Sequence, residues 1–279
     1  MSSFARRAYD ALLRVLISAA DPATEPTAAQ IYAKEISAIL QGFTRDSSGN
    51  VYQTTPYLGL AKNVFVAIED FGFTNLSGTN EAGGATNEFT TSAQGSPGIL
   101  RQTVTDTTTP DAATVNPISS IVTSIIVGGN EVRFEGRCRT PTAQDGTDQW
   151  SDRWGIGDAT AAADATDGLY FESDRAVNGD NNVRLCSATG GSRTKTTMGI
   201  APTANVWERW TLILNAAGTS MQGYLDDTAT GSPVTATLPT STASGVWWAQ
   251  VVKTLGTTNA RSVDRDYLET IQIFSPTMR

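Results

Sequence analysis

Asp264, Asp266 and Glu269 form the acidic cluster whose spacing most invites chemistry. Glycoside hydrolysis with retention needs two carboxyl groups about 5 Å apart, one ionised and one protonated, flanking a sugar. In a regular strand Asp264 and Asp266 share a face while Glu269 points to the opposite one, unless a bulge intervenes. Arg265 stands between the two aspartates, where it would keep nearby carboxylates ionised, the wrong state for a proton donor. The structural reading, a solvated or ion-paired strand end, is preferred, and no catalytic residue is assigned. Histidine is absent. That removes the commonest general base, the Ser-His-Asp and Cys-His arrangements and every His-containing zinc site.

Asp158, Asp164 and Asp167 lie close together in a Thr/Ala/Gly-rich segment and offer hard oxygen ligands of the kind Ca²⁺ takes. Their spacing is not that of an EF-hand loop, and Asp and Thr before Gly are ordinary turn residues, so the turn reading is preferred and calcium is kept as the rival. Trp150, Trp154, Tyr170, Trp247 and Trp248 are candidates for stacking on sugar rings, against the commoner fate of large aromatics in a core or an interface. Adjacent residues in a strand face opposite ways, so Trp247 and Trp248 cannot fill the same core, and one of them is expected against another subunit, the N-terminal arm or a glycan. Cys138 and Cys186 are too few for a disulfide framework and far from Cys-x-x-Cys spacing. They read as small buried apolar residues of a protein made in a reducing cytoplasm.

The chain has 279 residues and a net charge of −8, so an electrostatic grip on nucleic acid is not expected. It is long enough for a full core. No apolar run approaches the roughly 20 residues of a spanning helix, so membrane insertion is not expected. Asp10 and Arg14 interrupt the apolar stretch after the basic start, against a cleaved leader.

Two kinds of element must hold these residues. Residues 3–20 place Phe4, Ala8, Leu12 and Val15 at helical spacing, and Thr27 with Gln30 makes a capping box for a second helix bearing Tyr32, Ile36, Ile39 and Phe43. Two such helices cannot build a core alone. Residues 1–60 are therefore expected to be a helical anchor and oligomerisation arm, with Phe4, Leu12, Val15, Tyr32, Ile36, Ile39 and Phe43 as its interface. Residues 61–279 are expected to form one β domain, the period changing to two from Asn63. Segment 74–98 is expected to be loop with at most short strands, and Val132–Arg139 reads as a strand with Val132, Phe134, Gly136 and Cys138 facing the core. Leu169/Phe171, Val183/Leu185, Trp210/Leu212/Leu214 and Tyr267/Ile271/Ile273 mark further half-buried strands, spaced as in a sandwich. Ile118–Val127 reads as a strand buried on both sides, with a helix as its rival.

Several short pieces occur in one order: Arg153-Trp-Gly-Ile-Gly-Asp158, Thr166-Asp-Gly-Leu-Tyr-Phe-Glu172, Trp207-Glu-Arg-Trp-Thr-Leu-Ile-Leu214, Gly218-Thr-Ser-Met-Gln-Gly-Tyr-Leu-Asp-Asp227, Leu238-Pro-Thr240, Lys253-Thr-Leu-Gly-Thr-Thr-Asn-Ala-Arg261 and Asp264-Arg-Asp-Tyr267. Over roughly residues 130–275 this series resembles the concanavalin A-like, laminin-G-like jelly rolls of structural proteins of tailed bacteriophages. Arg265 departs from that pattern, which has an apolar residue there. The resemblance implies a mainly β, antiparallel jelly-roll sandwich and a non-enzymatic virion protein assembled in a bacterial cytoplasm. Within that setting it implies a capsid spike, fibre or decoration subunit, or a tail-fibre or baseplate module that binds host glycan. Its partners would be other virion proteins and copies of itself, a trimer being favoured. Glucanases of the same sandwich class carry an acidic cluster on one strand, with Glu at the nucleophile position where this chain has Asp, so a depolymerase is the third reading.

Overall fold

The computed structural model describes residues 16–18, 30–36, 39–45, 51–55, 64–69, 79–90, 98–105, 112–115, 125–127, 131–158, 163–239, 243–255 and 259–273. The chain divides into two compact units, Met1–Val66 and Ala67–Arg279.

The first unit contains β1 (Leu16–Ser18), β2 (Gln30–Ile36), β3 (Ile39–Arg45) and β4 (Val51–Thr55), joined in that order in one sheet. β1 runs parallel to β2, and the other pairs are antiparallel. The second helix expected from the sequence is therefore replaced by a hairpin. Tyr32 pairs with Phe43 and Ile36 with Ile39 across it. The reason is arithmetic: the steps from Tyr32 to Ile36 and from Ile39 to Phe43 are four residues, an even number that satisfies strand alternation as well as a helical turn. Phe4, Leu12 and Val15 of the expected first helix lie outside the described residues.

The second unit is a sandwich. Its strands begin with β5 (Val64–Glu69), which the boundary at Val66 divides, β6 (Thr79–Ala82), β7 (Thr86–Thr90), β8 (Ile99–Val104), β9 (Ala112–Val115) and β10 (Ile125–Val127). They continue through β11 (Glu131–Arg139), β12 (Gln149–Gly157), β13 (Gly168–Asp174), β14 (Arg184–Thr189) and β15 (Ser192–Thr197). The last are β16 (Trp207–Leu214), β17 (Met221–Leu225), β18 (Thr228–Val234), β19 (Ala243–Leu255) and β20 (Arg261–Ile273). One sheet has the order β15-β14-β13-β12-β19-β9-β6 with β10 also on β19, and the other β18-β17-β16-β11-β20-β8-β7 with β5 also on β20. This is the antiparallel jelly-roll sandwich expected from the sequence. β6 and β7 are the short strands of segment 74–98, and β10 is the described part of the Ile118–Val127 segment, as strand.

The two inner faces meet through large rings. Trp154 of β12 stands edge-on to Trp210 of β16, with centroids 6.0 Å apart, and leans on Phe171 of β13 at 5.4 Å. Val132, Phe134, Leu212 and Leu214 are fully buried, as the alternation in β11 and β16 requires. Removing side chains of this size from water stabilises the fold by about 1.5–3 kcal/mol each, before the entropy of ordering them. β20 differs from expectation. Leu268, Thr270 and Gln272 pair with Gly136, Phe134 and Val132 and so face inward, while Tyr267 pairs with Arg137 and Ile271 with Arg133 on the outer face.

Gly155 and Gly157 explain the Gly-x-Gly-Asp turn. A Cβ at Gly155 would lie 2.4 Å from the Leu169 carbonyl oxygen and 2.5 Å from Tyr170 Cα, and one at Gly157 would lie 2.6 Å from Trp248 Nε1. Both glycines leave room for aromatic side chains on the outer face of β12. A single helical turn, α1 (Arg175–Asn178), follows β13. It is capped by Asp174, whose side chain accepts from the Val177 amide at 3.1 Å.

Candidate functional site

A register shift between Arg137 and Cys138 marks a bulge where β20 passes β11, and Asp266 is the residue left without an opposite number. The bulge resets the alternation. Asp264 pairs with Arg139 and Glu269 with Glu135, both on the outer face of β11, so the separation of Glu269 from the two aspartates expected for a regular strand does not occur. Arg265 turns inward, away from all three.

The carboxylates on this face are matched by arginines. Asp264, fully buried, accepts from Arg101 at 2.7 and 3.0 Å and from Arg139 at 3.1 Å. Burial alone would raise its carboxyl, but the hydrogen bonds of Arg101 and Arg139 outweigh that and hold it below the usual range. Asp266 pairs with Arg137 at 2.8 Å. Glu135 accepts from the Tyr267 hydroxyl at 2.6 Å, Thr211 at 3.0 Å and Arg133 at 2.6 Å. Against the upward push of burial, the bonds from Tyr267 and Arg133 pull it down. Glu269 is the exception: burial and then the Glu135 charge push it up, and its Oε1 is buried without a hydrogen-bond partner.

Arg265 bridges the sheets. It has no exposed surface and donates to Asp152 of β12, to Gln102 Oε1 at 2.7 Å and to Cys138 Sγ at 3.3 Å, with its guanidinium carbon 5.7 Å from the centre of the Trp154 ring. Burial raises the Asp152 carboxyl, and Arg265 opposes this. The same burial pushes the Cys138 thiol up to about 12, so it is an inert core residue.

The outer face of the other sheet holds a second polar cluster that sequence patterning did not single out. Arg153 of β12 reaches Glu172 Oε2 and Gln250 Oε1, each at 3.0 Å, and its Nη2 lies 2.7 Å from Asp164 Oδ1 and 3.7 Å from Asp174 Oδ2. Gln250 donates on to Thr114 at 3.2 Å, Lys195 pairs with the other oxygen of Glu172, and Arg193 pairs with Asp164 Oδ2. Burial would raise Glu172, but Arg153 and Lys195 hold it low, whereas Asp174 is raised by burial. Tyr170, Glu172 and Asp174 alternate on β13, and that period-two signal was present in the sequence.

The five aromatic candidates are all buried. Trp150, Trp154, Tyr170, Trp247 and Trp248 expose 1%, 1%, 0%, 4% and 0% of their surface. Trp150 packs with Val104, Val251 and Val263 in the inter-sheet core, and Trp248 packs with Tyr170, Cys186, Ala188 and Ala165. The opposed pair Trp247/Trp248 is reconciled within the unit, because the Ala165 segment covers the outer face beneath which Trp248 lies. The three calcium candidates also part company. Asp158 accepts from the Thr166 and Asp167 amides at 2.7 and 3.1 Å, Asp167 accepts from the Gly190 amide at 3.0 Å, and Asp164 pairs with the two arginines. Two of the three are turn-forming side chains, and among the described residues no group of three or more His, Cys, Asp or Glu is arranged to hold a metal.

No curated protein matches the sequence. Among solved structures, an uncharacterised protein, SO2946 from Shewanella oneidensis MR-1, is similar over 78% of this chain and 90% of its own, at 15% identity and a TM-score of 0.52. Peanut lectin is similar over 77% of this chain and 99% of its own at 12% identity and a TM-score of 0.47. Bacillus licheniformis β-glucanase covers 74% and 97% at 13% identity and a TM-score of 0.48. A family model described as SO2946-like, C-terminal domain, matches residues 95–266, which span most of the sandwich from β8 into β20, and the chain belongs to that family.

Proposed function

We propose that this chain is a non-enzymatic structural protein of a tailed-phage virion, a capsid spike, fibre or decoration subunit whose N-terminal unit anchors it and whose sandwich faces outward. The observation that carries the non-enzymatic part is the closure of the β20 cluster. Asp264 is fully buried between Arg101 and Arg139, and Asp266 is paired with Arg137, so neither is a carboxylate that stands free before a groove. The ordered series of sandwich motifs and the division at Val66 support a displayed domain carried on a separate anchor. Imaging the particle by electron microscopy, with and without residues 1–60, tests this. Density for the sandwich that is lost with the N-terminal unit, while the purified remainder stays folded, is the expected result. Sedimentation of the full chain is expected to show a homo-oligomer, a trimer being favoured, and a stable monomer with no virion partner would count against the anchoring role.

The second reading is a host-glycan-binding module of a tail fibre or baseplate. The polar cluster around Arg153, beside Tyr170 and Trp248, favours it, because sugar sites combine aromatic faces with a few fixed planar polar groups. A glycan array with the purified chain separates a binding module from a purely structural one.

A further inference from the structure

We propose that Arg153 and Arg193 form a binding site for the carboxylate of an acidic sugar, a hexuronate in a glycan, and that the Asp164 side chain occupies this site when no ligand is present. The inference rests on the glycan-binding reading and names the ligand class of that cluster.

Arg153 is fixed before any ligand arrives. Glu172 holds its Nε and Gln250 its Nη1, while Lys195 holds the other oxygen of Glu172. The Nη2 group is left to face Asp164 and, further off, Asp174. Such a locked guanidinium loses little freedom on binding a carboxylate. Arg193 supplies the second cation from β15, and the site opens on that side: the side chains of Arg193 and Asp164 keep 29% and 30% of their surface exposed, against 10% for Arg153 beneath them.

Asp164 fits imperfectly. Its Oδ1 lies 2.7 Å from Arg153 Nη2 but is buried without an aligned hydrogen bond. A carboxylate on a freely placed ligand can align where one tethered through a short side chain does not. Without Asp164, Arg153, Arg193 and Lys195 stand against Glu172 and Asp174, three cations to two carboxylates, so the site then favours an anion.

The neighbouring surface says why a sugar acid rather than any carboxylate. Ala165, next to Asp164, packs in the cluster of Tyr170 and Trp248, whose rings lie 5.5 Å apart. Trp248 Nε1 is fully buried and has no hydrogen-bond acceptor. Withdrawal of Asp164 with Ala165 would uncover an aromatic face for the C–H side of a pyranose and an indole N–H for one of its hydroxyls.

The test is calorimetric titration of the full chain with a galacturonate trisaccharide, its carboxyl-reduced neutral counterpart and acetate, alongside the difference in tryptophan fluorescence between the parent and Trp248→Phe. Asp164→Asn is expected to bind the uronate at least about tenfold more tightly than the parent, and Arg193→Gln placed in that background to remove the gain. Unchanged affinity in Asp164→Asn, or equal binding of acetate, would overturn the inference. Binding of the neutral sugar as tightly as the acid would overturn it too, while leaving the glycan-binding reading standing. Should Asp164→Asn not fold, the parent decides: a uronate-induced fluorescence change that Arg193→Gln abolishes supports the site, and no change up to about 10 mM, where binding falls below about 3 kcal/mol, overturns it.

Discussion

Glu135 and Glu269 stand directly opposite each other on β11 and β20, two like charges on one face of the sheet. Across adjacent antiparallel strands such a pair has Cβ atoms about 4.5–5.5 Å apart, and like charges so placed are destabilising. The protein divides the burden unequally. Glu135 takes three hydrogen bonds and stays low, and Glu269 takes the upward shift.

Glu269→Gln is therefore expected to stabilise the protein at neutral pH, by up to about 1 kcal/mol. A folded-state pKa raised above the unfolded value means that the native state binds the proton more tightly. That contribution is fully present below the unfolded carboxyl value, about 4.3, and is lost as pH rises through the higher folded value. Denaturant midpoints of parent and variant should thus differ least in acid and most above the folded pKa. A gap of constant size across pH would sink the assignment.

Arg265 and Asp152 call for a double-mutant cycle. Removing one partner strands a buried charge, so Arg265→Met and Asp152→Leu should each cost about 3–5 kcal/mol. The double variant should recover most of that loss, because two apolar side chains between the sheets satisfy each other. Additive losses would show that Gln102 and Cys138, rather than Asp152, are the partners that matter.

Gly155→Ala should cost about 2 kcal/mol or more, since its Cβ would meet the backbone of Leu169 and Tyr170 inside normal contact distance and neither can yield without breaking the β12–β13 ladder. Gly146→Ala is the control. Nothing lies within 4 Å of a Cβ there, and its stability from urea unfolding should stay within about 0.5 kcal/mol of the parent's.

The sandwich was legible because β11 and β16 alternate and the turns between strands carry Gly, Asp and Asn. Three features were not. The Tyr32 to Phe43 stretch has steps of four that serve a strand as well as a helix. The bulge at Asp266 falls where no glycine announces it, so the faces of β20 beyond that point are read in the wrong phase. The burial of Arg153, Glu172 and Trp248 depends on what covers the outer face, and alternation takes an outward residue for a wet one. Arg265 breaks the pattern in the sequence, but its meaning needs Asp152, more than a hundred residues away on the opposite sheet.

The protein is expected to cleave no polysaccharide. The arrangement nearest to a retaining pair is Glu135 with Glu269 rather than the aspartates, since these two face each other and their proton affinities are pushed apart. A nucleophile must still present a free oxygen to the sugar. Glu135 is only 6% exposed, and Tyr267, Thr211 and Arg133 already occupy its carboxylate. Those same bonds lower its basicity, so the pair resembles a catalytic couple in its electrostatics and not in its access. Purified protein incubated with capsular and outer-membrane polysaccharides should release no reducing ends, and Asp266→Asn and Glu135→Gln should behave as the parent does. Cleavage by the parent that Glu135→Gln abolishes would make this a glycosidase and overturn the non-enzymatic reading.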